Sequence, residues 1–175
     1  MTGPSVPVTV RLPNWIVADG EFDPATLGDV IHLGLAWVTV DAIEGVPDDV
    51  PDALESGADG RARGVGTLAY PHTPAGPSAV PILLSGSYAI PLLEESPGDE
   101  RRVAVTGVLG VERLAWDVQG YLWPRYPRGV RPWRLVGARV LPDLAPRAGV
   151  PPLEEIGSDE LVLDLEPVLT GSDVS

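Results

Sequence analysis

The chain has no cysteine and no lysine, and only one methionine, one phenylalanine and two histidines in 175 residues. Without cysteine there can be no disulfide, no thiolate metal site and no cysteine nucleophile. His32 and His72 alone cannot close a zinc site, though carboxylates could complete one; no metal or organic cofactor is expected. No apolar run approaches the ~20 residues of a membrane-spanning helix. The first twelve residues lack the charged leader and apolar stretch of a secretory signal. A cytoplasmic location and no membrane partner are expected. Helix-favouring composition is missing too. Gly and Pro number 20 each, and they cost about 1 and 3 kcal/mol respectively in a helix interior. That argues against a helical bundle or coiled coil.

What is present is charge of predominantly one sign, arranged in blocks. The formal net charge is −13, and all 12 basic residues are arginine. Residues 1–60 hold 11 acids and one arginine, residues 61–147 hold 7 acids and 11 arginines, and residues 148–175 hold 7 acids and no base. A mildly basic middle therefore sits between two acidic ends. The overall sign repels nucleic acid and anionic membranes at long range.

Period-two patterning dominates. Val6, Val8, Val10 and Leu12 share one face of a strand, with Thr9 and Arg11 on the other. Asp23 to Gly28 suits one helical turn closed by glycine. Ile31, Leu33, Leu35 and Trp37 share a face, and the apolar face then switches to Val38, Val40 and Ala42. Such a switch implies a bulge or a sharp coil near Trp37. Residues 44–63 read as a loop, with a helical turn over 52–56, before Val65, Thr67 and Ala69 resume a strand. Residues 80–92 alternate cleanly, as one strand or as two broken at Ser85-Gly86-Ser87. Val103 to Val111 alternate, and the face changes again toward Leu114, Trp116 and Val118. Residues 119–132 form a Pro- and Arg-rich loop. A strand at 133–141 turns inward either Leu135 and Leu141 or Val136 and Val140. Residues 142–158 read as a linker before a last strand at Leu161, Leu163 and Leu165. The expected fold is all-β: one domain over 1–175, an antiparallel small barrel or strongly coiled sheet of seven to eight strands with long Pro/Gly-rich loops.

Few residues are arranged for chemistry. Asp48, Asp49 and Asp52 lack the spacing of a calcium loop. The adjacent acids Glu94-Glu95, Glu154-Glu155 and Asp159-Glu160 would point to opposite faces of a strand, which makes poor acid–base dyads. Ser85-Gly86-Ser87 lacks the elbow and following helix of a nucleophilic serine. Trp15, Trp37 and Trp116 suit a core or rim. The unusual segment is 121–134, where Arg125, Arg128, Arg131 and Arg134 recur every third residue among Trp123, Tyr126 and Trp133, with prolines interleaved. On a polyproline II path these arginines line one edge. Their planar forks suit carboxylates and phosphates, and the aromatics could stack on them. The alternative is that the arginines pair with the acidic ends of the same chain.

The Gly28-Asp29-Val30 turn before a coiled strand resembles the entry of small barrels of the SH3-like or OB type, over residues 28–141. With Trp15, Phe22 and Leu163-Asp164-Leu165-Glu166 it also resembles small uncharacterised β-rich proteins of high-GC bacteria, which carry no activity to transfer. The barrel resemblance implies a face that binds nucleic acids, sugars or peptides. The aromatic face of an oligonucleotide-binding barrel is not evident here, so nucleic acid is disfavoured as a partner.

The leading expectation is a non-enzymatic binding or adaptor domain that recognises an acidic protein surface or small anion through Arg125, Arg128, Arg131, Arg134, Trp123, Tyr126 and Trp133. A carboxylate-dependent hydrolase or isomerase on a barrel face is the enzymatic alternative, marked by converging carboxylates in a deep pocket. A structural or assembly subunit is the third, marked by self-association.

Overall fold

Alternating valines and leucines leave this chain little choice but to pair strands, and it does so at almost every segment. The computed structural model describes residues 6–20, 22–73, 76–77, 80–93, 101–112 and 129–168. In chain order the elements are β1 (Val8–Leu12), α1 (Asn14–Ala18), β2 (Ala25–Thr26), β3 (Val30–Gly45), β4 (Ala53–Ser56), β5 (Arg61–Ala69), β6 (His72–Thr73) and β7 (Gly76–Pro77). They continue with β8 (Ile82–Ser85), β9 (Tyr88–Pro91), β10 (Arg102–Glu112), β11 (Val130–Val140), β12 (Ala145–Pro146), β13 (Gly149–Val150), α2 (Leu153–Ile156) and β14 (Leu161–Pro167).

The fold is all-β: among the described residues 60% are strand and 6% helix. Its main sheet runs β1-β14-β11-β3-β10-β5-β8-β9, with β12 beside β11 and β4 beside β5. Every pairing in that order is antiparallel. A parallel contact at Arg11–Gly110 joins β10 back to β1, so five strands form a ring. The strand count exceeds the seven to eight expected. Five of the strands are two residues long, and a two-residue strand has no alternation for a sequence to display.

The ring encloses the core. Val10, Leu12, Leu35, Trp37, Leu109, Trp133, Leu135 and Leu163 are each at most 1% exposed. The face switch after Trp37 has its cause in the β3–β10 ladder. The register slips between Thr106 and Gly107 and between Val108 and Leu109, leaving Asp41 and Val38 as extra residues on β3. Each bulge bends the strand and turns its following residues over. Gly107 is required at the first slip, because a Cβ there would overlap the Thr39 carbonyl oxygen.

Several local expectations are corrected by tertiary pairing. Residues 23–28 form no helical turn, since Ala25 and Thr26 pair with Val150 and Gly149. Residues 53–56 are a strand rather than a helical turn, because they pair with Val65 to Ala62 of β5. The 44–63 loop shrinks accordingly. The strand placed at 133–141 begins at Val130. The segment 142–158 holds β12, β13 and α2. Residues 80–92 take the broken form, two strands joined at Gly86, whose φ is +56°. The N-terminal strand pairs with β14 and buries Val8, Val10 and Leu12, while Val6 lies outside it at 81% exposure. Trp116 and the 114–118 stretch lie outside the described residues.

The segmental charge also finds its use. Arg61, Arg102, Arg139 and Arg147 of the basic middle pair with Asp41 and Asp59, Asp52, Asp164 and Asp159 of the acidic ends. Among the described residues, no helix is long and apolar enough to cross a membrane.

Candidate functional site

Strand β11 reads Val-Arg-Pro-Trp-Arg-Leu-Val, and strand geometry sends successive side chains to opposite faces. Arg131, Trp133 and Leu135 therefore share the core face, and Arg134 shares the outer face with Val136. The three-residue spacing that lines up arginines on a polyproline path separates them on a strand. Arg131 and Arg134 do not converge. Trp123, Arg125, Tyr126 and Arg128 lie outside the described residues.

Arg131 is buried, at 6% exposure. Its guanidinium carbon lies 5.5 Å from the Tyr88 ring centroid and 5.6 Å from that of Trp133. It donates to the Ser87 hydroxyl at 3.1 Å and to the Ser87 carbonyl at 3.4 Å. Trp133 donates its indole N–H to the Leu33 carbonyl at 3.3 Å. Both residues thus belong to the packing of the β8–β9 hairpin against β11. Burial pushes the Tyr88 hydroxyl pKa up, and the Arg131 charge opposes that rise.

Arg134 is exposed and donates to the Gly28 carbonyl at 3.4 Å. That bond leads to the turn at Thr26–Asp29. Gly28 N–H donates to Leu135 C=O at 2.7 Å, and Leu135 N–H donates to Asp29 C=O at 2.9 Å. The turn is built on Asp29, whose Oδ2 accepts from the Thr26 N–H at 2.8 Å and the Thr26 hydroxyl at 2.9 Å. Those bonds hold its carboxyl below the ordinary pKa of 3.8. Gly28, at φ +98°, takes a conformation that other residues rarely adopt.

This docking of turn on strand leaves apolar side chains in solvent. Leu27 is 47% exposed, Val30 46% and Val136 36%. Val30 is the cross-strand partner of Arg134. Val136 is the extra residue of a bulge, since Leu135 pairs with Leu165 and Gly137 with Asp164. The result is a small apolar patch around one guanidinium. The sequence pointed to Arg134 but not to its three apolar neighbours. Leu27 and Val30 flank a recognisable turn, and Val136 follows Arg134 on the outer face by simple alternation.

Asp29 also borders a cleft of about 470 Å³ under β2, β13 and α2. Its carboxylates are not gathered closely enough to hold a metal ion, and no other His, Asp or Glu group among the described residues is. Comparison with protein-family models, curated proteins and solved structures returns no match.

Proposed function

We propose that this chain is a non-enzymatic binding or adaptor domain that engages an acidic protein surface. The observation that carries this reading is the patch in which Arg134 stands among exposed Leu27, Val30 and Val136. Exposed apolar side chains around an arginine are the composition of a protein-docking surface rather than of an inert one. An arginine beside apolar area binds carboxylates through a planar fork and loses less on desolvation than a lysine would. We further read the five-strand ring as a small barrel of the SH3-like or OB type, whose members bind partners on one face. The patch lies where β11 and β3 pair. Arg125, Arg128, Trp123 and Tyr126 extend the same reading along the chain toward Val130.

The test uses a soluble peptide alternating leucine and glutamate, with a leucine–lysine peptide as control. Titration followed by amide NMR should shift Leu27 to Val30 and Arg134 to Val136 with the acidic peptide alone. Arg134→Glu should weaken that binding about tenfold with the melting temperature unchanged. Equal response to both peptides, or an unaffected Arg134→Glu variant, would reject the reading.

A further inference from the structure

The cleft beside the Thr26–Asp29 turn is a separate feature, lined by none of Leu27, Val30, Arg134 and Val136. Its floor is apolar and buried: Val140 is 8% exposed, Val150 3%, Ile156 2% and Leu161 1%. Pro24, Pro151 and Pro152 stiffen its walls, because proline fixes φ and leaves little freedom to lose on binding. The β2–β13 ribbon holds one wall in close register, since a Cβ on Gly149 would overlap the Ala25 carbonyl oxygen. A volume of about 470 Å³ falls within the range of small-molecule sites.

The charge of the lining is one-sided. Asp29, Glu155 and Asp159 face a single base, Arg147. That base is already engaged, with its Nη2 3.6 Å from Asp159 Oδ2. The cleft thus contains an example of what its acidic side accepts: a guanidinium paired with Asp159. Asp29 differs from Asp159. Both of its hydrogen bonds fall on Oδ2, so the carboxylate is oriented while Oδ1 keeps its accepting capacity.

We infer that this cleft is a binding site for small organic cations, a primary amine or guanidinium carried on a short apolar body, with Asp29 as the anchoring carboxylate and Arg147 as the internal competitor. The apolar body covers the Pro24, Pro151 and Pro152 rings above that floor, and the charged group meets Asp29. An anion is disfavoured, because three carboxylates outnumber one paired arginine. A neutral ligand would forgo the charge-assisted bond that an oriented carboxylate offers.

The experiment titrates the full chain with phenethylamine, phenethyl alcohol and phenylacetate, which share one apolar body and differ in charge. The amide signals of Thr26, Asp29, Gly149 and Val150 report occupancy. The amine should shift them saturably, the alcohol should bind about tenfold more weakly, and the acid more weakly still. Asp29→Asn should reduce amine affinity about tenfold. Asp159→Asn gives the same direction should the Asp29 variant lose its turn. Arg147→Ala, at an exposed position, should tighten the amine and leave the fold intact. The sign of that last effect is decisive: an anion site would weaken when Arg147 is removed. Preference for phenylacetate, weaker amine binding in Arg147→Ala, or no movement of these four signals by the amine would each overturn the inference. None of those outcomes touches the Arg134 surface, whose test uses other probes and shares only the Asp29 amide with this one, while Gly149 and Val150 report the cleft alone.

Discussion

Trp133 of β11 stacks on Tyr88 of β9, with ring centroids 6.0 Å apart and planes 8° from parallel. The two strands are far apart in the sheet order, so this contact exists only because the sheet curls over its own core. Arg131 lies against both rings and ties the hairpin turn through Ser87. Its charge is stabilised by ring faces as well as by hydrogen bonds, which is how a buried arginine is tolerated.

Arg131→Ala should therefore destabilise the protein by about 2 kcal/mol or more, through lost ring contacts and a vacated volume. Urea denaturation followed by tryptophan fluorescence measures it. An unchanged midpoint would mean that Arg131 is a surface donor after all. Arg134→Ala, on the outer face of the same strand, should move the midpoint by no more than about 0.5 kcal/mol.

Val10 is fully buried on β1 and pairs with Leu163 of β14. Val10→Asp places a carboxylate among the ring's inner side chains with no partner. The cost should be about 4 kcal/mol or more, enough to unfold a marginal domain. Circular dichroism at increasing temperature tests it, and an unaltered transition would show that β1 is not part of the ring.

Acid should loosen the 46–52 loop before the ring. Asp52 accepts from the Gly86 N–H at 2.8 Å and pairs with Arg102 at 2.8 Å. The Gly86 bond first, and Arg102 second, lower its pKa below the ordinary 3.8, while partial burial opposes them. A depressed folded-state pKa contributes stability above the unfolded value, and that contribution is lost as pH falls through the folded one. The loss should thus begin near 3.8 and continue below it. Asp52→Asn should lower the urea midpoint at about pH 6 and lose less than the parent between about pH 5 and pH 2. Parallel pH curves for the two proteins would remove Asp52 from the account.

The strands that sequence could disclose are the ones long enough to alternate: Val8–Leu12, Val30–Gly45, Arg102–Glu112 and Leu161–Pro167. Even the bulge after Trp37 was legible, because an extra residue inverts the parity of everything that follows. Pairing of Ala25–Thr26 with Gly149–Val150 was not, since it joins segments more than 120 positions apart through two residues each. The cleft depends on that ribbon and was hidden with it. From Arg131 to Arg134 the three-residue spacing lies on a strand and not on a polyproline path. Trp133 and Leu135 alternate as a strand, and carrying that period back to Arg131 separates it from Arg134. Proline at 132 obscured this, yet it costs the ladder only one donor.

Gly149→Ala separates the cleft from the ring. Gly149 has φ +156° and no room for a Cβ against Ala25, so the substitution must part β2 from β13. The ribbon has no pairing to the ring strands through β2, although Ala25 and Val150 pack into the core, and the loss should stay near 1–3 kcal/mol. The Leu27 N–H, bonded to the Ala148 carbonyl at 3.1 Å, should become exchangeable in the variant. The amide of Val10, inside the ring, should stay protected relative to global unfolding. Phenethylamine should no longer shift Thr26 or Asp29, because the wall that β13 supplies has moved. Hydrogen exchange read by NMR distinguishes the outcomes. Equal deprotection of Leu27 and Val10 would make the ribbon an integral part of the ring. Full protection of both, with the amine still bound, would show that the cleft does not depend on the β2–β13 contact.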